Sequence, residues 1–368
     1  MMDFRRRNLI VLGALAVISV ALAGLMLTFR AQEGRARFTP GEFLPGFAAH
    51  VKEATHIHVV SRDGTFDVDY LSAKGSWVLP ARGNYPADFE RVRQTLIGLA
   101  ALEAVEPKTA RADWLAYIGL DAPPKGSGTA ITVTDKADKI LAALIIGNAA
   151  ELENAQGVTG VFVRHPGDNQ SYLARAVFTL RGNVADWLET GVMSIEAARL
   201  NTVTITPTSG APFTLARANP SDREYKLQGP PPPKGFAVNP AMLNLIPQLI
   251  TGFAFVDVQP ASQIDFSKAV HLTAHTFDMQ NIRMDAIVVK DTVWVRVSAQ
   301  PDPGTPTMQR QEAGIINARA AEWAYKLSPN KGQLLMTTRD ALMTKAEPSG
   351  PAGGLEGLPP GMTFGAPN

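Results

Sequence analysis

The strongest hydrophobic signal in the chain is an apolar run near its start. Leu9 to Phe29 reads LIVLGALAVISVALAGLMLTF without a charged residue, and Arg5-Arg6-Arg7 precede it. At about 1.5 Å of rise per residue, a helix of this length spans roughly 32 Å, which is enough to cross a bilayer core. Because the arginines precede the run, we predict a cytoplasmic N-terminus and a body on the far side of the membrane, the periplasm of a bacterium.

The same run has two alternative interpretations. Ala21-Leu22-Ala23 resembles a signal-peptidase site, and Arg6-Arg7-Asn8-Leu9 loosely resembles a twin-arginine signal. The apolar run continues beyond Ala23, whereas the hydrophobic region of a signal peptide normally ends at its cleavage site. We therefore predict an uncleaved, single-pass anchor in the bacterial inner membrane.

Alternation of apolar and polar residues then follows in two similar series, His56 to Pro107 and Thr202 to Pro260. Each series contains two alternating strands around a Gly-containing turn, a short strand with an aromatic residue, a helix opened by proline and a strand closing on Val-x-Pro. Such a repeat indicates one architecture used twice. It predicts the overall fold more strongly than any single helix or strand does.

Further elements follow each series. In module one we predict a short helix over Ala110–Tyr117, stopped by Gly119, and then strands over Thr129–Thr134, Ile140–Ile146, Gly160–Arg164 and Ser171–Ala174. In module two, Pro247 predicts a kink or break in the helix. The remaining predicted elements of module two are strands over Val270–Thr276, Arg283–Val289 and Thr292–Val297, and helices near Ile315–Leu327 and Gln333–Thr344.

These patterns predict an α+β fold class: an N-terminal transmembrane helix followed by two related modules of mainly antiparallel sheet covered by helices. The predicted organisation is residues 1–30 for the cytoplasmic N-terminus and transmembrane anchor, 31–50 for a linker, 51–194 for periplasmic module one, 195–345 for periplasmic module two and 346–368 for a disordered tail rich in Gly and Pro.

Composition narrows the function classes. Hydrophobic residues at 45% and charged residues at 19% are typical of a chain that folds around a core. A net charge of +1, without a basic patch, gives no electrostatic basis for binding nucleic acid. The chain has no cysteine, so disulfides, thiolate metal sites and cysteine nucleophiles are excluded.

Histidine pairs are the first candidates for chemistry. His56 and His58 lie two apart on a predicted strand and share one face, with Asp67 or Asp69 on the neighbouring strand as further candidate metal ligands. The repeat favours a different interpretation, because module two has threonine at both histidine positions. We therefore interpret the pair as polar residues on the solvated face of an antiparallel sheet.

The other candidate catalytic or binding residues do not form a specific motif either. His271 and His275 also share a strand face, and we interpret them in the same way. No G-x-S-x-G elbow occurs, and no spacing identifies a pair of glycosidase carboxylates. Trp77, Trp187 and Trp323 fall at junctions between elements and are predicted to anchor the core. We accordingly expect a protein that is not an enzyme, with no catalytic, cofactor-binding or metal-ligating residue and no cofactor.

One segment resembles a known family. Tyr117-Ile118-Gly119-Leu120-Asp121-Ala122-Pro123 resembles the Y-G-L-x-x-P hallmark of a bacterial family known as domain of unknown function 4340. Also similar to its pattern are Pro86-Ala87-Asp88 after Trp77, Leu144 to Gly147, Val161 to Arg164, and Trp323 to Pro329 followed by a helix. The sequence departs from the pattern in the extra Ile118, in Pro230 to Pro233, and in a second module that lacks the Y-G-L element.

The resemblance implies a cellular location and a class of partner protein, but it implies no chemical reaction. Members of the family look like single-pass inner-membrane proteins with large periplasmic bodies, associated with ATP-binding-cassette (ABC) export systems of the kind linked to gliding motility. The leading expectation is a non-catalytic accessory or scaffold subunit of such a complex, in contact with the inner membrane and with the ABC permease and ATPase subunits or other envelope proteins. The chain has no Walker A motif, so energy from ATP would come from a partner. Alternatives are an envelope module that binds a polysaccharide, lipid or peptide and, in third place, a periplasmic hydrolase.

Overall fold

The computed structural model describes residues 19–26, 38–152 and 159–345 of the chain. Its described residues form mostly antiparallel sheets with some helices. They fall into two compact units, here called unit 1 and unit 2, which divide between Thr190 and Gly191. The boundary predicted from the sequence lies after residue 194.

The predicted anchor lies for the most part outside the described residues. Residues 19–26 are helical, and Val20, Leu22, Leu25 and Met26 within them are exposed. Among the residues that the structure describes, no helix is both long enough and apolar enough to cross a membrane. Residues 1–18, 27–37 and 346–368 lie outside the described part, so the anchor and the disordered tail stay predictions.

Residues 38–50, the described part of the segment predicted as a linker, contain a strand and a helix. Strand β1 (Gly41–Glu42) pairs with the strand at Glu103–Pro107, and helix α1 (Phe47–His50) follows it. Phe43 and Phe47 are only 4% and 2% exposed. Burial of these aromatic side chains outweighs the polar character of the preceding residues and holds the segment on unit 1.

Unit 1 is built around one sheet. Among its described residues the strands are β1, β2 (Ala54–Ser61), β3 (Gly64–Leu71), β4 (Ser76–Leu79), β5 (Tyr85–Pro86), β6 (Glu103–Pro107), β7 (Thr129–Asp135), β8 (Ile140–Ala150), β9 (Thr159–Arg164) and β10 (Ser171–Ala176). Besides the helical residues 19–26, the helices are α1 and α2 (Phe89–Ala100), with 3-10 helices at Val51–Glu53, Pro80–Arg82, Ala112–Ile118 and Val184–Trp187. The sheet has the order β1-β6-β10-β9-β8-β7-β2-β3-β4-β5, and every pair in it is antiparallel.

Local chemistry explains the start of this sheet and its main helix. Gly64 closes the β2–β3 turn at φ 146°, a backbone angle open mainly to glycine. Asp88 caps α2, because its side chain accepts a hydrogen bond from Arg91 N at 3.1 Å. Val92 and Leu99 on that helix are 1% and 0% exposed, so α2 is held by its apolar face.

Unit 2 contains a second sheet. Among its described residues the strands are β11 (Leu200–Thr206), β12 (Phe213–Ala216), β13 (Lys226–Leu227), β14 (Phe236–Val238), β15 (Asp257–Pro260), β16 (Val270–Thr276), β17 (Gln280–Val289), β18 (Thr292–Pro301), β19 (Trp323–Lys326) and β20 (Met343–Lys345). Its helices are α3 (Pro240–Leu245), α4 (Gln248–Thr251), α5 (Thr307–Ala320) and α6 (Pro329–Leu335), with 3-10 helices at Ala197–Arg199, Ala261–Gln263 and Asp340–Leu342.

The two sheets share one strand order. The larger sheet of unit 2 runs β13-β12-β11-β16-β17-β18-β19-β15, while β14 and β20 pair separately. Read from the other edge, it matches β6-β10-β9-β8-β7-β2-β3-β4 of unit 1, strand for strand in chain order. The strand order therefore agrees with the repeat seen in the sequence. After β15, where unit 1 carries its 3-10 helix Ala112–Ile118, unit 2 has the shorter Ala261–Gln263.

The end of unit 2 differs from the prediction. The helix predicted over Ile315–Leu327 is α5, which ends at Ala320, and Trp323–Lys326 is strand β19, paired with both β15 and β18. The helix predicted over Gln333–Thr344 is limited to α6, and its last residues form β20. Strand pairing with distant parts of the chain overrides local pattern in both cases.

Two predictions about local structure are confirmed. The helix around Pro247 is broken into α3 and α4, with Pro247 as the N-cap residue of α4. Trp77, Trp187 and Trp323 are 8%, 0% and 8% exposed and so belong to the core.

The two repeated helices supply a test of packing. Leu96 in α2 and Leu249 in α4 are 9% and 3% exposed, so Leu96→Ala and Leu249→Ala should each lower the free energy of unfolding by about 2–5 kcal/mol. Urea unfolding followed by tryptophan fluorescence measures the loss. Ile97, which is 48% exposed on the same helix as Leu96, provides the control, and Ile97→Ala should cost clearly less. Equal losses for Leu96→Ala and Ile97→Ala would contradict this packing.

Candidate functional site

Strands β2 and β3 place a cluster of titratable side chains on one face of the unit 1 sheet. Ile57 and Val59 are fully buried on one side of β2, and the alternation of the strand places His56 and His58 on the other. The two histidine side chains are 34% and 39% exposed. The predicted placement of both histidines on one solvated face of the strand is therefore confirmed.

The register of the β2–β3 pair sets each histidine against an aspartate. His56 lies opposite Asp69, and His58 lies opposite Asp67. His56 Nδ1 is 2.5 Å from Asp69 Oδ1, and His58 Nδ1 is 2.6 Å from Asp67 Oδ1. His56 Nε2 is also 3.6 Å from Asp67 Oδ1. The structure thus brings together all four residues that the sequence offered as a metal site.

Ligand atoms of His56, His58 and Asp67 all lie within 4.8 Å of one another. Within the described ranges, this is the group of three His, Asp or Glu residues that is close enough to hold one metal ion. The arrangement can therefore either bind a cation or serve as a hydrogen-bonded polar patch.

The equivalent strands of unit 2 lack this chemistry. Thr202 and Thr204 on β11 lie opposite Ala216 and Thr214 on β12. The hydroxyl groups of Thr204 and Thr214 are 2.8 Å apart and form a hydrogen bond. The same scaffold therefore carries imidazoles and carboxylates in one copy and small neutral side chains in the other.

Unit 2 carries a different charged cluster on its sheet. The Asp285 carboxylate accepts hydrogen bonds from Arg283 Nε at 2.7 Å, Arg296 Nε at 2.7 Å and His271 Nδ1 at 2.6 Å. Burial raises the pKa of Asp285, but these hydrogen bonds outweigh it and leave the pKa below its ordinary value. His271 is thus tied into an ion network, while His275, 43% exposed, lies 3.8 Å from Asp302.

The segment that resembles the family hallmark forms a tight support on the unit 1 sheet. Gly119 adopts φ 70° and ends the 3-10 helix Ala112–Ile118, as the sequence predicted. Leu120 is fully buried beside Leu115 and Ile145, and its carbonyl accepts a hydrogen bond from Arg164 Nε at 2.7 Å. A buried guanidinium therefore holds the main chain of the hallmark segment in place.

Two polar and steric details complete this support. Asp121 Oδ1 accepts hydrogen bonds from Ser127 Oγ at 2.5 Å and Ser127 N at 2.9 Å, and the hydroxyl bond is the largest cause of a lowered Asp121 pKa. A Cβ at Gly147 on β8 would lie 2.4 Å from the Ile118 carbonyl oxygen. The hallmark segment can therefore approach β8 because residue 147 has no side chain.

The outer side of the same 3-10 helix exposes aromatic residues. A 3-10 helix has three residues per turn, so residues three apart share a side. Trp114 and Tyr117 are 52% and 83% exposed, and the Arg111 guanidinium lies 5.1 Å from the centre of the Trp114 ring. We call Arg111, Trp114 and Tyr117 the aromatic ridge. Leu115 and Ile118 on the opposite side pack on the apolar cluster around Leu120.

The sequence pattern alone did not predict the aromatic ridge. The chain has five tryptophans, and the four other than Trp114 are at most 9% exposed. The spacing of Arg111, Trp114 and Tyr117 by three residues was the available signal, but its meaning depends on a 3-10 rather than an α-helical geometry.

Fold and site together define an α+β protein with two large antiparallel sheets, and with an aromatic ridge and a His–Asp cluster on unit 1. The chain belongs to the family described as Domain of unknown function (DUF4340), whose sequence profile matches residues 77–272, just over half of its length. The hallmark segment Tyr117 to Pro123 lies within the matched range. No curated protein and no solved structure matches the chain.

Gly147 provides a test of the support beneath the aromatic ridge. Gly147→Ala should lower the free energy of unfolding by about 1–3 kcal/mol, because the new methyl group meets the main-chain oxygen of Ile118 rather than a flexible side chain. Chemical denaturation measures the loss. Gly41→Ala is the matched control, since the nearest atom to a Cβ there is 4.0 Å away. If the two variants were equally stable, the contact of the hallmark segment with β8 would be disproved.

Asp285 predicts a pH dependence for the stability of unit 2. Its folded pKa is lowered, so its stabilising contribution is present above the unfolded value of about 3.9 and is lost as pH falls through the folded pKa. The free energy of unfolding should therefore fall as the pH drops from about 5 through the folded pKa of Asp285, and Asp285→Asn should flatten that fall while lowering stability at pH 7. Asp291→Asn, in the exposed β17–β18 turn, should keep the wild-type profile. An unchanged pH slope in Asp285→Asn would refute the assignment.

Proposed function

We propose that this protein is a non-catalytic, membrane-anchored periplasmic accessory or scaffold subunit, in particular of an ABC-type export complex. The observation that carries the scaffold part of the proposal is the aromatic ridge of unit 1. Trp114 and Tyr117 expose large apolar surfaces to solvent, whereas the other tryptophans are buried in the core. Exposed aromatic surface of this kind is typical of protein contact sites.

The residue types of the ridge favour a protein partner. Trp, Tyr and Arg are the side chains that dominate binding energy at protein interfaces, and Arg111, Trp114 and Tyr117 supply one of each. The ridge is also held rigidly, because Leu120 is buried and Arg164 bonds its carbonyl. A partner would therefore bind without ordering a flexible loop, which reduces the entropic cost of association.

The membrane and transporter parts of the proposal rest on other grounds. The apolar run Leu9 to Phe29 after three arginines supports an inner-membrane anchor with the body in the periplasm. Membership of the DUF4340 family, through the association that the resemblance implies, supports an ABC permease and its ATPase as the partners. The absence of a Walker A motif from the sequence agrees with ATP hydrolysis by a partner.

Site-directed photo-crosslinking in native membranes tests this proposal. Full-length tagged protein carries the photoreactive p-benzoylphenylalanine in place of Tyr117 or, as the matched control, in place of Phe89, an aromatic residue of unit 1 that is 62% exposed. We expect position 117, and not position 89, to capture a polytopic permease or a subunit bound to it, identified by mass spectrometry. Capture of glycan or lipid instead would favour an envelope binding module, and equal capture from both positions would refute the ridge as the contact site.

Alanine variants give a quantitative readout of the same contact. Trp114→Ala and Tyr117→Ala should each reduce co-purification of the captured partner by at least about 10-fold, the loss expected for a central interface residue. Their melting temperatures should stay close to wild type, because both side chains are exposed. Phe89→Ala should leave co-purification unchanged. A ridge variant that keeps full co-purification would contradict the proposal.

A further inference from the structure

We propose that His56, His58 and Asp67 of unit 1 bind one Zn²⁺ ion, and that Asp69 orients His56 for this role. The site lies on the sheet face between β2 and β3. It goes beyond the scaffold function proposed above, because the aromatic ridge supplies none of its ligands.

The distances suit a zinc ion. Zinc is bound by His nitrogen and Asp oxygen at about 2.0–2.2 Å in tetrahedral geometry, so two of its ligand atoms lie about 3.3 Å apart. His56 Nε2 and Asp67 Oδ1 are 3.6 Å apart. His58 Nδ1 is 2.6 Å from the same oxygen, the length of a hydrogen bond. A bound ion replaces the proton of that hydrogen bond and lengthens the contact by less than about 1 Å.

Asp69 supplies the support that a ligating histidine normally has. Metal-bound histidines almost always donate the hydrogen of their other ring nitrogen to a carboxylate, a carbonyl or water, which fixes the tautomer and the direction of the lone pair. His56 Nδ1 is 2.5 Å from Asp69 Oδ1. With the proton on Nδ1, the lone pair of His56 is on Nε2, the atom that lies 3.6 Å from Asp67.

The backbone beneath the site is fixed. The β2–β3 ladder pairs His56 with Asp69 and His58 with Asp67, while Ile57 and Val68 between them are fully buried on the other face. The four side chains therefore project from a rigid hairpin, and rotation about side-chain bonds alone can close the site.

The second sheet provides an internal comparison. The corresponding strands of unit 2 have Thr202, Thr204, Thr214 and Ala216 at these positions, and none of these is a good zinc ligand. The hairpin therefore does not need His and Asp in order to pair. With three protein ligands, the ion keeps a fourth position for water or for a group from another molecule.

Metal titration of the full-length protein in detergent, after removal of metal by chelation, tests the site. Zn²⁺ in competition with a chromophoric chelator should show saturable binding of one ion per chain. His56→Thr with His58→Thr should abolish it, and Asp69→Asn should weaken it by about 10–100-fold, the effect typical of a supporting carboxylate. His271→Thr with His275→Thr removes the same number of histidines from the sheet of unit 2 and should leave binding unchanged.

Two further measurements separate loss of the site from loss of the fold. Melting temperatures of all variants are measured with chelator present, which shows whether a substitution destabilises the metal-free protein. If the double histidine variant is destabilised in this way, Asp67→Asn, which keeps the shape of the side chain, is used in its place. Zn²⁺ should raise the melting temperature of wild type and of the His271/His275 variant but not of Asp67→Asn. Wild-type protein that shows no saturable binding, or binding that survives His56→Thr with His58→Thr, would overturn the proposal.

Discussion

Pairing of antiparallel strands is the constraint on which the rest of this structure depends, because it decides both what is buried and which chemistry is exposed. Side chains alternate across a strand, so the register that buries Ile57 and Val59 also places His56 and His58 on the opposite face. Residues directly opposite each other on paired strands are neighbours, and the same ladder therefore sets each histidine against a carboxylate. A slip of one residue would expose the apolar set and separate both pairs. The core of unit 1 and its titratable cluster are thus specified by a single set of main-chain hydrogen bonds.

The aromatic ridge is held by other means. It lies on a 3-10 helix outside the ladder, and its position depends on a glycine in the left-handed region and on a guanidinium buried beneath the chain. A buried cation is costly unless its donors are satisfied, and Arg164 is satisfied by the carbonyls of Leu120, His165 and Asp168. Movement of the hallmark segment would remove one of those acceptors. Unit 2 uses the same device, since the buried Arg217 donates to the carbonyl of Leu200. In both units a buried guanidinium joins a loop to a strand through a hydrogen bond to a main-chain carbonyl.

Much of this fold could be predicted from the sequence, because many strands have one face in the core and the other face toward solvent. Strands such as β7 and β16 alternate because one face is apolar and the other polar, and their positions follow from that pattern. Prediction failed where this contrast is missing. Trp323, Ala324 and Tyr325 of β19 are all buried, so no alternation marks them as a strand, and their apolar pattern predicts a continuation of the preceding helix. The His–Asp cluster was only half predictable, because a shared face follows from spacing whereas the opposite partner follows from register. The aromatic ridge required knowledge of the helix type, which the sequence does not carry.

The shared strand order also shows which connection between strands can accept an insertion. Strands β9 and β10 of unit 1 are joined by the short connection over residues 165–170, whereas the matching strands β18 and β19 of unit 2 are separated by the whole of α5. The order of the ladder is the same in both cases, because a longer connection between neighbouring strands adds only a small closure entropy. The connection between β9 and β10 is therefore a suitable insertion site. A reporter domain or an affinity module could be inserted in the connection over residues 165–170 of unit 1, in the position that α5 already occupies in unit 2, at a point that leaves the His165 and Asp168 carbonyls on Arg164.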